Sequence, residues 1–105
     1  MVTDRPEIFT VGELRAAGHV QKDLRHEIRD NLLAALAAAG GRPEQLASLT
    51  VYIVDMDDYR SRAREVGAVW RRLVGRDYPA MAGIGVSRLW DAEALVELQG
   101  VAVLP

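Results

Sequence analysis

The sequence predicts an α+β sandwich of order ββαβαββ, with two helices on one face of the sheet. Three observations predict it. Two long segments repeat their apolar residues at helical spacing. Short segments rich in β-branched residues lie between and after them. Those strands are apolar or small on both sides, whereas two helices cover only one side of a sheet.

The elements follow in order. Ile8 to Val20 reads as a short hairpin. "IFTV" and "ELRAAGHV" flank Gly12, and Gly18 marks a bulge or a close backbone approach. From Gln21 to Ala39, the residues Leu24, Ile28, Leu32, Leu36 and Ala39 recur at i+4 and i+3, which is one face of an amphipathic helix. Arg25, Glu27, Arg29 and Asp30 fall on the opposite, solvated face. Gly40-Gly41 stops this helix and Pro43 prevents its resumption. "LTVYIVD", Leu49 to Asp55, has Leu49, Val51 and Ile53 on one side and Tyr52 and Val54 on the other, as a central strand requires. Asp55 and Asp57 then offer helix N-caps. Tyr59, Ala63, Val66, Trp70 and Leu73 define a second amphipathic helix that stops near Gly75. Two strands close the chain, Ala82 to Leu89 and Leu95 to Leu104, joined by the turn-like "WDAEA". The sheet face without helices therefore needs a partner, and a second copy of the chain is the simplest one.

Length and charge narrow the function. The 105 residues make a single domain, 1–105. A formal net charge of −2, with no run of lysine and arginine, argues against a nucleic-acid binder. Arg25/Arg29 and Arg60/Arg62/Arg64 are interleaved with acids and read as solvated faces. Without cysteine there is no disulfide, thiolate catalysis or zinc–thiolate site. The acidic N-terminus, broken by Pro6, does not read as a signal peptide. The longest apolar stretch, "LLAALAAAGG", is far short of a membrane span. A soluble, cytoplasmic protein is the expectation.

Glu97 is the strongest candidate for chemistry. It sits inside an apolar strand, on one face with Leu95, Val101 and Val103, where a carboxylate can serve as a general acid or base. The alternative is a strand-end carboxylate reaching solvent or a neighbouring arginine. His19, beside Gly18, reads either as an assisting acid–base group or as a hydrogen-bonding side chain; His26 falls on the polar side of its helix. Two histidines without a spaced acidic partner argue against a metal site. "GIGVSRLW" contains Gly-x-Gly, but within a strand and with no helix after it, so it is no phosphate cradle. Trp70 has core spacing, whereas Trp90 suits an interface or a pocket rim.

Two stretches carry a family resemblance: "NLLAALAAAGGRPEQLASLTVYIVDMDDYRSRAREVGAVW" and "YPAMAGIGVSRLWDAEALVELQGVAV". Asn31-Leu32, Gly40, Asp55-Met56-Asp57-Asp58-Tyr59, Pro79-Ala80 and Val96-Glu97 resemble the motifs of the RidA/YjgF-like family, the reactive-intermediate deaminases. The resemblance covers roughly Asp23 to Leu104. It implies a chorismate-mutase-like fold assembled as a homotrimeric barrel, with small-molecule clefts between subunits and no cofactor. It implies hydrolysis of enamine or imine intermediates, with the late-strand glutamate, Glu97, positioning water. It also implies a ligand site around Gly18, Met81, Ala82 and Gly83, which Arg88 and Trp90 join if they reach it. The sequence departs from the family at two places. The arginine that clamps the substrate carboxylate is Met81, and methionine cannot make charge-assisted bidentate bonds. The segment "AAGHVQKD" places His19 where the family has a glutamine-like residue and leaves little loop before the first helix. The resulting expectation is a small-molecule enzyme with a retooled cleft. A non-catalytic binding trimer and an ordinary deaminase are the alternatives.

Overall fold

A computed structural model of the chain describes residues 6–10, 20–76 and 78–104. Strand β1 is Pro6–Thr10. One continuous helix follows: α1 (Val20–His26), a π-helical stretch (Glu27–Leu33) and α2 (Ala34–Ala38). After a 3-10 turn at Pro43–Gln45 come β2 (Leu46–Ile53), α3 (Met56–Ser61), α4 (Ala63–Leu73), β3 (Ala80–Gly85) and β4 (Val96–Val103). The expected second strand of the N-terminal hairpin, with Gly18 and His19, lies outside the described residues.

The π stretch answers a problem set by the sequence. Val20, Leu24, Ile28, Leu32 and Leu36 are all buried and all four residues apart. In an ideal α-helix each such step drifts about 40° around the axis. The wider π turn reverses part of that drift and keeps the stripe on the sheet. It also brings Asn31 Nδ2 to donate to Glu27 Oε1 at 2.7 Å. The expectation that Glu27 faces solvent is corrected: it is fully buried, and Asp23, one turn earlier, is buried too. Periodicity missed them because both flank the apolar stripe, on a side that neighbouring structure covers.

The sheet runs β1-β4-β2-β3. β4 pairs antiparallel with β1 and β2, and β2 pairs parallel with β3. Leu49, Val51 and Ile53 of β2 and Val96, Leu98 and Ala102 of β4 face the helices and are buried. Leu46 joins them because a register shift between Leu46 and Ser48 inserts an extra residue. Gly100 lets the long helix approach β4: a Cβ there would stand 3.1 Å from Leu32 Cδ1 and 3.2 Å from Leu49 Cδ2. Val66, Trp70 and Val74 close the core from the α4 side. Trp70 Nε1 donates to the Tyr59 hydroxyl at 3.2 Å, and burial pushes the Tyr59 phenol above its ordinary range. The Asp55 carboxylate caps α3 by accepting from the Asp58 backbone N–H, as the sequence predicts.

β3 begins and ends earlier than the sequence suggests, at Ala80–Gly85, whereas β4 is one residue shorter at each end, at Val96–Val103. Their connection ends in a tight turn in which the Ala94 N–H bonds the Asp91 carbonyl at 3.0 Å.

Leu98 is fully buried in the centre of the core. Leu98→Ala is expected to cost about 2–5 kcal/mol, through lost burial and the cavity left behind. Urea unfolding followed by circular dichroism will show it as a lower midpoint with an unchanged slope.

Candidate functional site

Strand β3 places the first group of candidate residues. It is an edge strand, and every one of its residues is exposed. Pairing with β2 sets its faces: Met81 lies beside Leu49, Gly83 beside Val51 and Gly85 beside Ile53, on the helix side. They stay exposed, although Met56 at the start of α3 comes near Gly85. Gly83 and Gly85 form a low floor; added Cβ atoms would meet Ile53 Cδ1 at 3.4 Å and Met56 Cε at 3.6 Å. Met81 stands at the N-terminal end of this trough, 39% exposed.

Glu97 lies elsewhere. It pairs with Tyr52, which pairs with Ile84, so these three form a row across the open face of the sheet. The next row is Gln99, Thr50 and Ala82. Glu97 is half-buried and stands at the end of the sheet where β2 and β3 finish. The Tyr52 hydroxyl donates to Gln99 Oε1 at 3.2 Å, so a tyrosine and an amide flank the carboxylate.

The predicted residues thus divide between two faces. Ala82 shares the open face with Glu97; Met81 and Gly83 lie on the other. Met81 and Glu97 are also two strands apart, about 10 Å across the sheet, and three residues apart along it, about 10 Å more. A single chain does not bring them together. Arg88 is exposed and Trp90 is 96% exposed, both in the connection beyond the far end of β3 from Met81. His19 and Gly18 lie outside the described residues. Sequence reasoning missed Tyr52 and Gln99. Period-two spacing was enough to place Gln99 on Glu97's face, but only strand register places Tyr52 there. Among the described residues, no group of three or more His, Asp or Glu could hold a metal ion, and no helix is long and apolar enough to cross a membrane.

With the geometry established, the chain can be compared with known proteins. The family model described as Endoribonuclease L-PSP matches residues 8–104. A RutC family protein of Pyrococcus horikoshii is 31% identical over 81 residues, which are 77% of this chain and 60% of that protein. The UK114 RutC family protein of Drosophila melanogaster is 31% identical over 74 residues, 70% of this chain and 50% of its own. The chain therefore spans little more than half the length of these two relatives. A solved member of the YjgF/YER057c/UK114 family from Mycobacterium tuberculosis superposes with a TM-score of 0.72 at 26% identity, over 92% of this chain and 79% of that one. The E. coli YjgF protein superposes with a TM-score of 0.78 at 20% identity, over 95% of this chain and 81% of that one, and shows the shared fold.

Removing the hydroxyl that holds Gln99 tests the open-face network. Tyr52→Phe is expected to lower stability by about 1 kcal/mol and to shift the Gln99 side-chain amide resonances. An unmoved Gln99 signal would exclude the bond in solution.

Proposed function

The chain belongs to the Endoribonuclease L-PSP family, the RidA/YjgF-like family that its own motifs resemble, and from that premise we propose that it is a small-molecule enzyme with a retooled cleft between subunits. Glu97 acts there as general base on an imine, an enamine or a related electrophile. One observation carries the reading: the carboxylate position survives, half-buried beside Tyr52 and Gln99, while the carboxylate-clamping position is Met81. Residues on opposite faces of one sheet line a common ligand only where two copies meet. The exposed apolar residues Val103 and Ile84 on the open face favour such packing, and a homotrimer is the assembly that the resemblance implies.

The chemistry is a hydrolysis that needs no cofactor. Glu97 takes a proton from water as the water oxygen bonds the imine carbon. The C=N electron pair moves to nitrogen, which takes the proton that Glu97 received from the water. The resulting carbinolamine then expels ammonia and leaves a carbonyl. Met81 contributes an apolar wall in place of a charged clamp, so the preferred substrate lacks the carboxylate of amino-acid-derived enamines.

Freshly generated enamines and imines, with and without a carboxylate, are the test, with carbonyl release as the readout. Glu97→Gln is expected to lower the rate on the preferred substrate by about 10²–10⁴-fold. If no such substrate is turned over faster than in buffer, but calorimetry shows a bound metabolite, the chain is a non-catalytic binding protein. Fast turnover of carboxylate-bearing enamines would instead make it an ordinary deaminase.

Met81→Arg is expected to tighten binding of carboxylate-bearing ligands by about two orders of magnitude, measured by calorimetry. Light scattering is expected to give three times the chain mass, and a monomer would contradict the cleft.

A further inference from the structure

The side chains that flank Glu97 have no part in the proposed chemistry, yet they are polar on a face where the core needs nothing polar. Across β4, β2 and β3 the open face carries three successive rows: Glu97, Tyr52 and Ile84; Gln99, Thr50 and Ala82; Val101, Ser48 and Ala80. Glu97 is the one charged side chain in these rows, and none of the four strands contains a lysine or an arginine. Tyr52, Thr50 and Gln99 are all half-buried, so the surface beside the carboxylate is a sheltered strip of neutral hydrogen-bonding groups.

One hydrogen bond orders this strip. Register places Tyr52 level with Glu97, but its hydroxyl reaches diagonally to Gln99 Oε1 at 3.2 Å. The ring therefore leans toward the Gln99 row, away from the end of the sheet where Glu97 stands. The same bond orients the Gln99 amide. Its oxygen is turned to Tyr52, so its nitrogen, which carries two N–H donors, is directed away from the ring. Glu97 and Gln99 are two residues apart on one strand face, about 7 Å. An uncharged donor thus accompanies the reacting carboxylate at about the span of a small substrate.

We propose that Gln99 selects the substrate, with Tyr52 positioning it: the Gln99 N–H donates to an uncharged carbonyl oxygen of a ligand whose imine carbon lies at Glu97. The substrate class is then imines and enamines that carry an amide where amino-acid-derived ones carry a carboxylate. This inference rests on the assignment of the reacting group to Glu97. Two effects set the preference. A ligand carboxylate held beside Glu97, on strands that contain no cation, meets like charge, and an amide does not. An apolar group in place of the amide leaves the oriented Gln99 donor without its ligand acceptor, and sites built to hydrogen-bond a ligand discriminate against analogues that cannot do so.

NMR titration of the full chain tests the selection with three product-like probes that differ at one group: pyruvamide, pyruvate and methyl isopropyl ketone. Pyruvamide is expected to bind roughly tenfold more tightly than either of the others, and to shift the Gln99 side-chain amide resonances. Gln99→Leu and Gln99→Glu, each checked for its fold by circular dichroism, are expected to erase that preference. Tyr52→Phe is expected to reduce the preference several-fold while leaving pyruvate binding unchanged, whereas a merely structural role would weaken all three probes alike. An amide preference without turnover of any imine upholds the selection and removes the Glu97 chemistry; turnover without an amide preference does the reverse. Pyruvate or the ketone binding as tightly as pyruvamide, a preference that survives both Gln99 variants, or no saturable binding of pyruvamide would each overturn the proposal.

Discussion

The structure depends on one apolar seam, where the continuous helix of residues 20–38 lies across β2 and β4. Every described side chain on the helix-facing side of β4 from Val96 to Ala102 is buried, apart from Gly100, whose missing side chain lets Leu32 and Leu49 close in. A chain of this size has little other surface to bury. The helix's unusual pitch and the extra residue at the start of β2 both serve this seam. Each moves a leucine into contact that regular geometry would have turned away.

The seam also decides what stays open. Its cover ends over β2, so β3 lies beyond it with both faces exposed. Met81, at the position that the family resemblance gives to a carboxylate-holding arginine, therefore stands at an uncovered edge. Glu97 is on the reverse face, beside Tyr52 and Gln99. Met81 is 39% exposed and lies outside the core, on the face of the sheet opposite Glu97.

Much of the fold was legible in the sequence. The leucines of the first helix, the Asp55 cap and the Trp70 packing face all appear where periodicity and helix-terminus chemistry put them. Asp23 and Glu27 were not legible as buried groups, because charge alone suggests solvent and burial is a property of the packed structure. The limits of β3 were blurred by "AMAGIGV", whose small residues carry little strand signal on their own. Glu97 could be singled out because a carboxylate breaks an otherwise apolar alternation. Its neighbour Tyr52 could not, since it lies 45 positions away and meets Glu97 only through strand pairing.

By itself, the sequence determined the α+β class, the order of helices and strands among the described residues, the apolar stripe each helix buries and the family, because local periodicity and short motifs carry those properties. Only the tertiary structure decided that Met81 and Glu97 face opposite ways. That outcome follows from register: pairing Met81 with Leu49, and Glu97 with Tyr52, gives the two side chains opposite parity on a pleated sheet. Parity of this kind belongs to the hydrogen-bonded ladder between strands.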